Sequence, residues 1–170
     1  RGRLNGRTCG FITCDSGVYA VAPPRTPRDN WETKHLLNTP VSDVAIYDLD
    51  GDGEDEIITI EPFHGDQVKI YHKSDVGYQV VYTYPGEYQF AHALWAGKLR
   101  GVPAMILGIR RQQAELVIIR YCPESRSYRE TIVDKGCGPS NVDVIPGGEH
   151  DIILCANNLI HEAAAYFVTD

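Results

Sequence analysis

The strongest constraint on the fold is a pattern of short apolar runs that returns in phase along the chain. Phe11-Ile12-Thr13-Cys14, Ile57-Ile58-Thr59-Ile60, Met105-Ile106-Leu107-Gly108 and Ile152-Ile153-Leu154-Cys155 form the first set. Each is followed, after a short polar loop, by a second run: Val18-Tyr19-Ala20-Val21, Val68-Lys69-Ile70-Tyr71, Leu116-Val117-Ile118-Ile119 and Ala164-Ala165-Tyr166-Phe167. Behind the first three lies a more polar run, around Trp31-Glu32-Thr33, Tyr78-Gln79-Val80-Val81 and Tyr128-Arg129-Glu130-Thr131. Runs of this length, rich in β-branched and aromatic residues and bounded by turn formers, are strands. No segment sustains a helical period, so the chain is expected to be all-β with little or no helix. Gly2-Arg3-Leu4-Asn5-Gly6 also returns as Gly97-Lys98-Leu99-Arg100-Gly101, which sets the register of the repeat.

The repeating unit is four strands in about 47 residues, the length of one blade of a β-propeller. With strands labelled A to D outward from the axis, the second blade places A at 44–47, B at 56–60, C at 68–72 and D at 78–83. A and B are apolar on both faces, as strands sandwiched between neighbouring blades should be. Blades are expected at about 1–38, 39–86, 87–136 and 137–170. The first lacks an A strand and the last stops before D, which gives about three and a half blades, incomplete at both ends. Closed propellers use about four to eight blades, and an open arc exposes the apolar faces of its end blades. The remaining blades are therefore expected from another chain or from a missing part of the same protein, and a seven-bladed ring is the expected closure.

The turn between A and B of the second blade reads Asp48-Leu49-Asp50-Gly51-Asp52-Gly53-Glu54-Asp55-Glu56. Alternating carboxylates, a glycine to relieve the turn and a closing carboxylate are what a short loop needs to wrap a hard cation with oxygen ligands. An EF-hand opens in the same way, but closes at its twelfth position and is flanked by helices. Here the closing residue, Glu56, comes sooner and the flanks are strands. The alternative is an acidic turn that holds no ion.

The formal net charge of -7 and the absence of a basic run argue against a nucleic-acid surface. No apolar segment reaches the length of a membrane span. Five cysteines, Cys9, Cys14, Cys122, Cys137 and Cys155, form no CxxC pair and read as unpaired thiols in strands. That favours a reducing, cytoplasmic location, although the chain starts at Arg1 without a Met and a true N-terminus is expected to be missing.

Ala45-Ile46-Tyr47-Asp48-Leu49-Asp50-Gly51-Asp52-Gly53 with Glu56-Ile57-Ile58 resembles the FG-GAP/VCBS class of β-propeller repeat, found in integrin α-chain heads and many bacterial proteins. In that class the acidic A–B loop holds calcium. The resemblance thus implies one structural Ca2+ on Asp48, Asp50, Asp52 and Glu56, with the backbone carbonyl of Glu54. It carries no further, because the matching places in the third and fourth blades, Ala96-Gly97-Lys98-Leu99-Arg100-Gly101 and Val144-Ile145-Pro146-Gly147-Gly148, lack carboxylates.

Antiparallel topology puts the A–B turns on one rim of a propeller and the B–C and D–A connections on the other. The second rim is expected to gather His64, His92, His161, Glu61, Glu162, Arg110, Arg111, Asn141, Asn157 and Asn158. A turn needs only Gly, Pro, Asn or Asp, so His, Arg and Glu together mark a candidate binding site. His35, His72 and His150 are expected at the surface. The stretches Glu61-Pro62-Phe63-His64-Gly65, His92-Ala93-Leu94-Trp95-Ala96-Gly97, Gly138-Pro139-Ser140-Asn141 and Asn157-Asn158 with His161-Glu162 are similar to the propeller of the aldos-2-ulose dehydratases. Two functions follow. One is a non-catalytic propeller that binds a carbohydrate or protein partner through this rim. The other is part of a metal-assisted carbohydrate lyase or dehydratase, with a second metal of unknown identity and acid–base groups on the same rim. No Ser-His-Asp order, HExxH or phosphate loop is present, and the fold does not decide between them.

Overall fold

A computed structural model describes residues 2–4, 6–62 and 65–169. Among these the chain forms fifteen strands and a single 3-10 turn, and every sheet is antiparallel with its strands in chain order. The expected all-β, nearly helix-free, blade-like architecture is what is found. Among the described residues no helix is long and apolar enough to cross a membrane. Two compact units divide the chain: Arg1–Asp48 with Asp52–Tyr84, and Leu49–Gly51 with Pro85–Asp170.

The first unit holds two four-stranded sheets. One is built from β1 (Gly2–Leu4), β2 (Arg7–Cys14), β3 (Gly17–Ala22) and β4 (Glu32–Leu37); the other from β5 (Asp43–Tyr47), β6 (Glu56–Glu61), β7 (Gln67–Ser74) and β8 (Gly77–Thr83). Val18, Leu37, Val41, Ile46, Ile57 and Tyr71 form a buried cluster, with Phe11, Val44 and Tyr78 packed on it. Strand β6 is buried along its whole length. Side chains on a strand alternate between faces, so both of its faces must be covered. Burying each of Ile57, Ile58 and Ile60 stabilises the fold by about 1.5–3 kcal/mol. Gly2 is required where it stands, because a Cβ there would overlap the Ile46 side chain on β5. Beside it, the Arg3 backbone N–H donates to Asp55 Oδ2 at 2.6 Å.

One strand departs from expectation. The first sheet has an A strand after all, β1, paired with β2 from Gly2↔Cys9 to Leu4↔Arg7. It is three residues long with one large apolar side chain, too little to stand out as a run. Its position matches Gly97-Lys98-Leu99, which close the A strand of the third sheet, so the repeat register holds. Strand β4 begins after Trp31, whose side chain is 62% exposed, and runs through Lys34 and His35. Its polar sequence has no alternation to mark where it starts.

In the second unit, β9 (Gln89–Leu99), β10 (Val102–Arg111), β11 (Leu116–Cys122) and β12 (Ser127–Asp134) make a four-stranded sheet. Strands β13 (Pro139–Ile145), β14 (Asp151–Asn157) and β15 (Glu162–Val168) make a three-stranded one. Their shared core is Leu99, Ala104, Ile106, Leu116, Ile118, Cys137, Ile153 and Cys155, flanked by Trp95, Val142, Val144 and Tyr166. Strands β9 and β10 are joined by Arg100-Gly101, both at positive φ (55° and 77°), as a two-residue hairpin turn matched to strand twist requires. The Arg100 N–H donates to Asp151 Oδ2 at 2.5 Å, and the Gly147 N–H to Oδ1 at 3.0 Å. All five cysteines are free.

Candidate functional site

Tyr47 pairs with Glu56, so residues 48–55 leave the second sheet as a loop and Glu56 re-enters it. Gly51 and Gly53 take φ values of 82° and 95°, a region that costs other residues strain, and this lets the loop double back. The Gly53 N–H donates to Asp48 Oδ2 at 3.1 Å and the Glu54 N–H to Asp52 Oδ1 at 2.8 Å, which holds both carboxylates against the loop backbone. Two groups result. Asp48, Asp50 and Asp52 each bring a ligand atom within 4.8 Å of the others, and so do Asp50, Glu56 and His72. Asp50 is common to both, and either set can hold a metal ion.

The other acids of the loop are engaged elsewhere. Glu54 Oε2 takes the Lys73 ammonium at 2.8 Å, and Asp55 accepts the Arg3 N–H. A Glu54 ligand would therefore be its main-chain carbonyl. The negative field of the loop reaches its neighbours. Burial first, then the Asp48 and Asp55 carboxylates, raise the Tyr47 phenol; burial, then Glu54 and Asp55, raise that of Tyr78.

His72 corrects the expectation of a surface side chain. It is half-buried, its Nδ1 lies 3.0 Å from Oε1 of the fully buried Glu56, and its Nε2 lies 3.6 Å from Asp52 Oδ2. The register explains this: Ile57 pairs with Tyr71, so one step further Glu56 stands across from His72. Oxygen donors suit a hard divalent cation, whereas an imidazole adds a nitrogen that such cations use little.

At the other end of β6, Glu61 is not a rim group open to a ligand. It is 3% exposed and accepts from Thr59 Oγ1, Tyr71 OH and Lys69 Nζ, each at 2.7 Å. His64 lies outside the described residues.

Within the second unit, part of the predicted rim set comes together. Arg111 pairs with Gln89, and Asn157 with both Pro139 and Glu162, so these strand ends mark one edge of their sheets. There the Arg110 guanidinium (Nη2) donates to Asn158 Oδ1 across the two sheets. The guanidinium carbons of Arg110 and Arg111 lie 5.0 and 4.9 Å from the centre of the Phe90 ring, within cation–π range. His92 stacks on the same ring at 5.6 Å and 8°, and its Nδ1–H donates to the Ser140 carbonyl at 3.0 Å. Phe90 was not among the expected residues. It sits at φ 65°, a conformation uncommon for a bulky side chain that costs about 1–2 kcal/mol. Alternation alone gives no hint of it. Asn141 stands apart, lining a shallow groove of about 390 Å³ with Leu154, Ala156 and Ala165. His161, at φ 57° after the 3-10 turn Asn158–Ile160, and Glu162 are exposed where β15 begins, next in the chain to the Asn158 contact.

No protein-family model matches the sequence, and a comparison with curated proteins finds no significant match.

Proposed function

We propose that this chain is a calcium-stabilised β-propeller segment of the FG-GAP/VCBS kind that binds a carbohydrate through its B–C and D–A connections. The observation that carries the binding role is the convergence of Arg110, Arg111 and His92 on Phe90, with Arg110 bonded to Asn158 of the next sheet. Packing needs none of these polar groups at an exposed strand end, whereas recognition of a polar ligand uses such sets of aromatic, amide and cationic side chains. Variants carrying both His92→Ala and Asn158→Ala are expected to lose glycan binding in calorimetry while melting within a few degrees of the native chain. Unchanged binding would remove the rim from consideration.

Calcium is the ion the loop suits best, since Asp48, Asp50, Asp52, Glu56 and the Glu54 carbonyl all offer oxygen. His72 then serves to orient Glu56 through its 3.0 Å contact. Asp50→Ala removes the carboxylate common to both groups. At a hundredfold excess over Kd, calcium should add about 2.7 kcal/mol of stability to the native chain and none to the variant. An equal calcium response in both would refute the assignment. Ile12 and Trp31 at the first sheet and Leu154 and Phe167 on the last are exposed apolar side chains. They support the proposal that further blades, from another chain or from a missing part of the same protein, cover these faces.

A further inference from the structure

We infer that the group around Phe90 takes the carboxylate of an acidic sugar, a uronate residue of a glycan; this rests on the rim reading and names the ligand class. The argument begins with charge. The chain is acidic, with a formal net charge of -7, and several of its basic side chains sit against carboxylates. Arg7 pairs with Glu32, Lys69 with Glu61, Lys73 with Glu54 and Lys135 with Glu115. Arg110 and Arg111 are instead brought together on one aromatic ring. Among the described residues neither guanidinium has a carboxylate partner; Arg110 meets the neutral Asn158 amide, and both lie over Phe90.

Two like charges set on one ring repel, and an aromatic face offsets that only in part. An anion between or above them would relieve the repulsion. A guanidinium carries five N–H donors in a planar fork that fits a carboxylate through two parallel bonds. Arg110 gives one donor to Asn158, which fixes its plane and leaves others for a ligand. The Asn158 amide and the His92 ring beside this cationic pair bring hydrogen-bonding groups of the kind that suit hydroxyls. One anionic group surrounded by hydroxyls describes a uronate. An acidic peptide would satisfy the charges alone, and a neutral sugar the hydroxyl partners alone.

The test is calorimetric titration of the full 170-residue chain with tri-galacturonate, with neutral galactotriose and with tetraglutamate, each repeated on Arg111→Gln and Arg110→Gln. The expected result is tightest binding of the galacturonate, with galactotriose weaker by about tenfold or more, as loss of a charge-assisted pair implies. Each variant should lose about tenfold or more for galacturonate and little for galactotriose. Arg111→Lys keeps the charge but not the fork, and should fall between the native chain and Arg111→Gln. Thermal melts of all variants separate lost binding from lost fold. Equal binding of both sugars, with the variants indifferent, would overturn the uronate assignment and leave the rim reading standing. Preference for tetraglutamate would overturn it in favour of a peptide ligand. No binding of either sugar, while the melts stay native, would overturn both.

Discussion

Glu61 offers the sharpest separation of groups that hold the fold from groups that serve a ligand. Glu61→Ala withdraws the one acceptor shared by Thr59, Tyr71 and Lys69, each 2.7 Å from it. Thr59 is fully buried and Tyr71 nearly so, so neither hydroxyl reaches water in compensation. Each stranded hydroxyl costs about 1–3 kcal/mol. The Lys69 side chain is 22% exposed, so its ammonium can turn outward and lose less than the full penalty of an unpaired buried charge. The sum is a loss of about 3–5 kcal/mol. Glu61→Gln keeps an acceptor of the same shape and gives up charge assistance, for a loss of about 1–2 kcal/mol. Urea titration is the assay: the midpoint should fall in that order while the slope stays constant, since the surface exposed on unfolding is unchanged. A second readout is the Tyr71 phenol, held well above its usual range first by burial and then by Glu61; the Ala variant should lower it in an absorbance titration. If Glu61→Ala stays within about 1 kcal/mol of the native chain, the network is not what closes this end of β6.

Asp151 sets an acid limit. Main-chain N–H groups of Arg100 and Gly147 hold its carboxyl below the usual range, so its contribution is complete above about pH 4 and fades as pH falls through the lower folded value. The difference in Tm between the native chain and Asp151→Asn should therefore shrink below about pH 4; a gap that stays constant to lower pH would contradict this. Among the thiols, Cys14 is exposed and is held low first by its hydrogen bond with the Ser16 hydroxyl, whereas burial pushes Cys155 up to about 12 and also raises Cys137. Iodoacetamide followed by mass spectrometry should label Cys14 first and Cys137 and Cys155 only in denaturant. Equal rates would show that the last sheet opens readily.

How much was legible from the sequence depended on how each residue earns its place. Strands β5 to β8 lie within a residue or two of their expected bounds, because Val, Ile and Tyr runs with acidic or glycine punctuation leave little choice. The clustering of the loop carboxylates was equally plain, since Asp48, Asp50 and Asp52 stand close together in the chain. His72 was missed because its role comes from pairing across β6 and β7, and register is a tertiary fact. Glu61 was misplaced for the opposite reason: a carboxylate at a strand end looks like a rim group until its three donors are seen. Phe90 is the clearest case. Two arginines and a histidine converge on it from three positions, while the sequence, which puts Gln89-Phe90-Ala91-His92 in a rim connection, gives no sign that Phe90 is the centre.

The Asp55 and Asp151 clasps have a consequence for how such sheets can change. In each unit a carboxylate at the start of one sheet's second strand binds the backbone N–H of the preceding sheet, at Arg3 in one case and Arg100 in the other. The donor is the peptide itself, which every residue but proline supplies. The acid is thus constrained, while its partner needs no particular side chain for the bond itself; at Arg100 the positive φ of the hairpin turn still limits the choice. Substitutions at Arg3 would leave the clasp intact unless they brought in proline, and so would those at Arg100 that tolerate its positive φ. Compensating pairs of mutations would not arise between the two sides. A method that finds contacts by correlated change would overlook the bonds that hold neighbouring sheets in each unit in register.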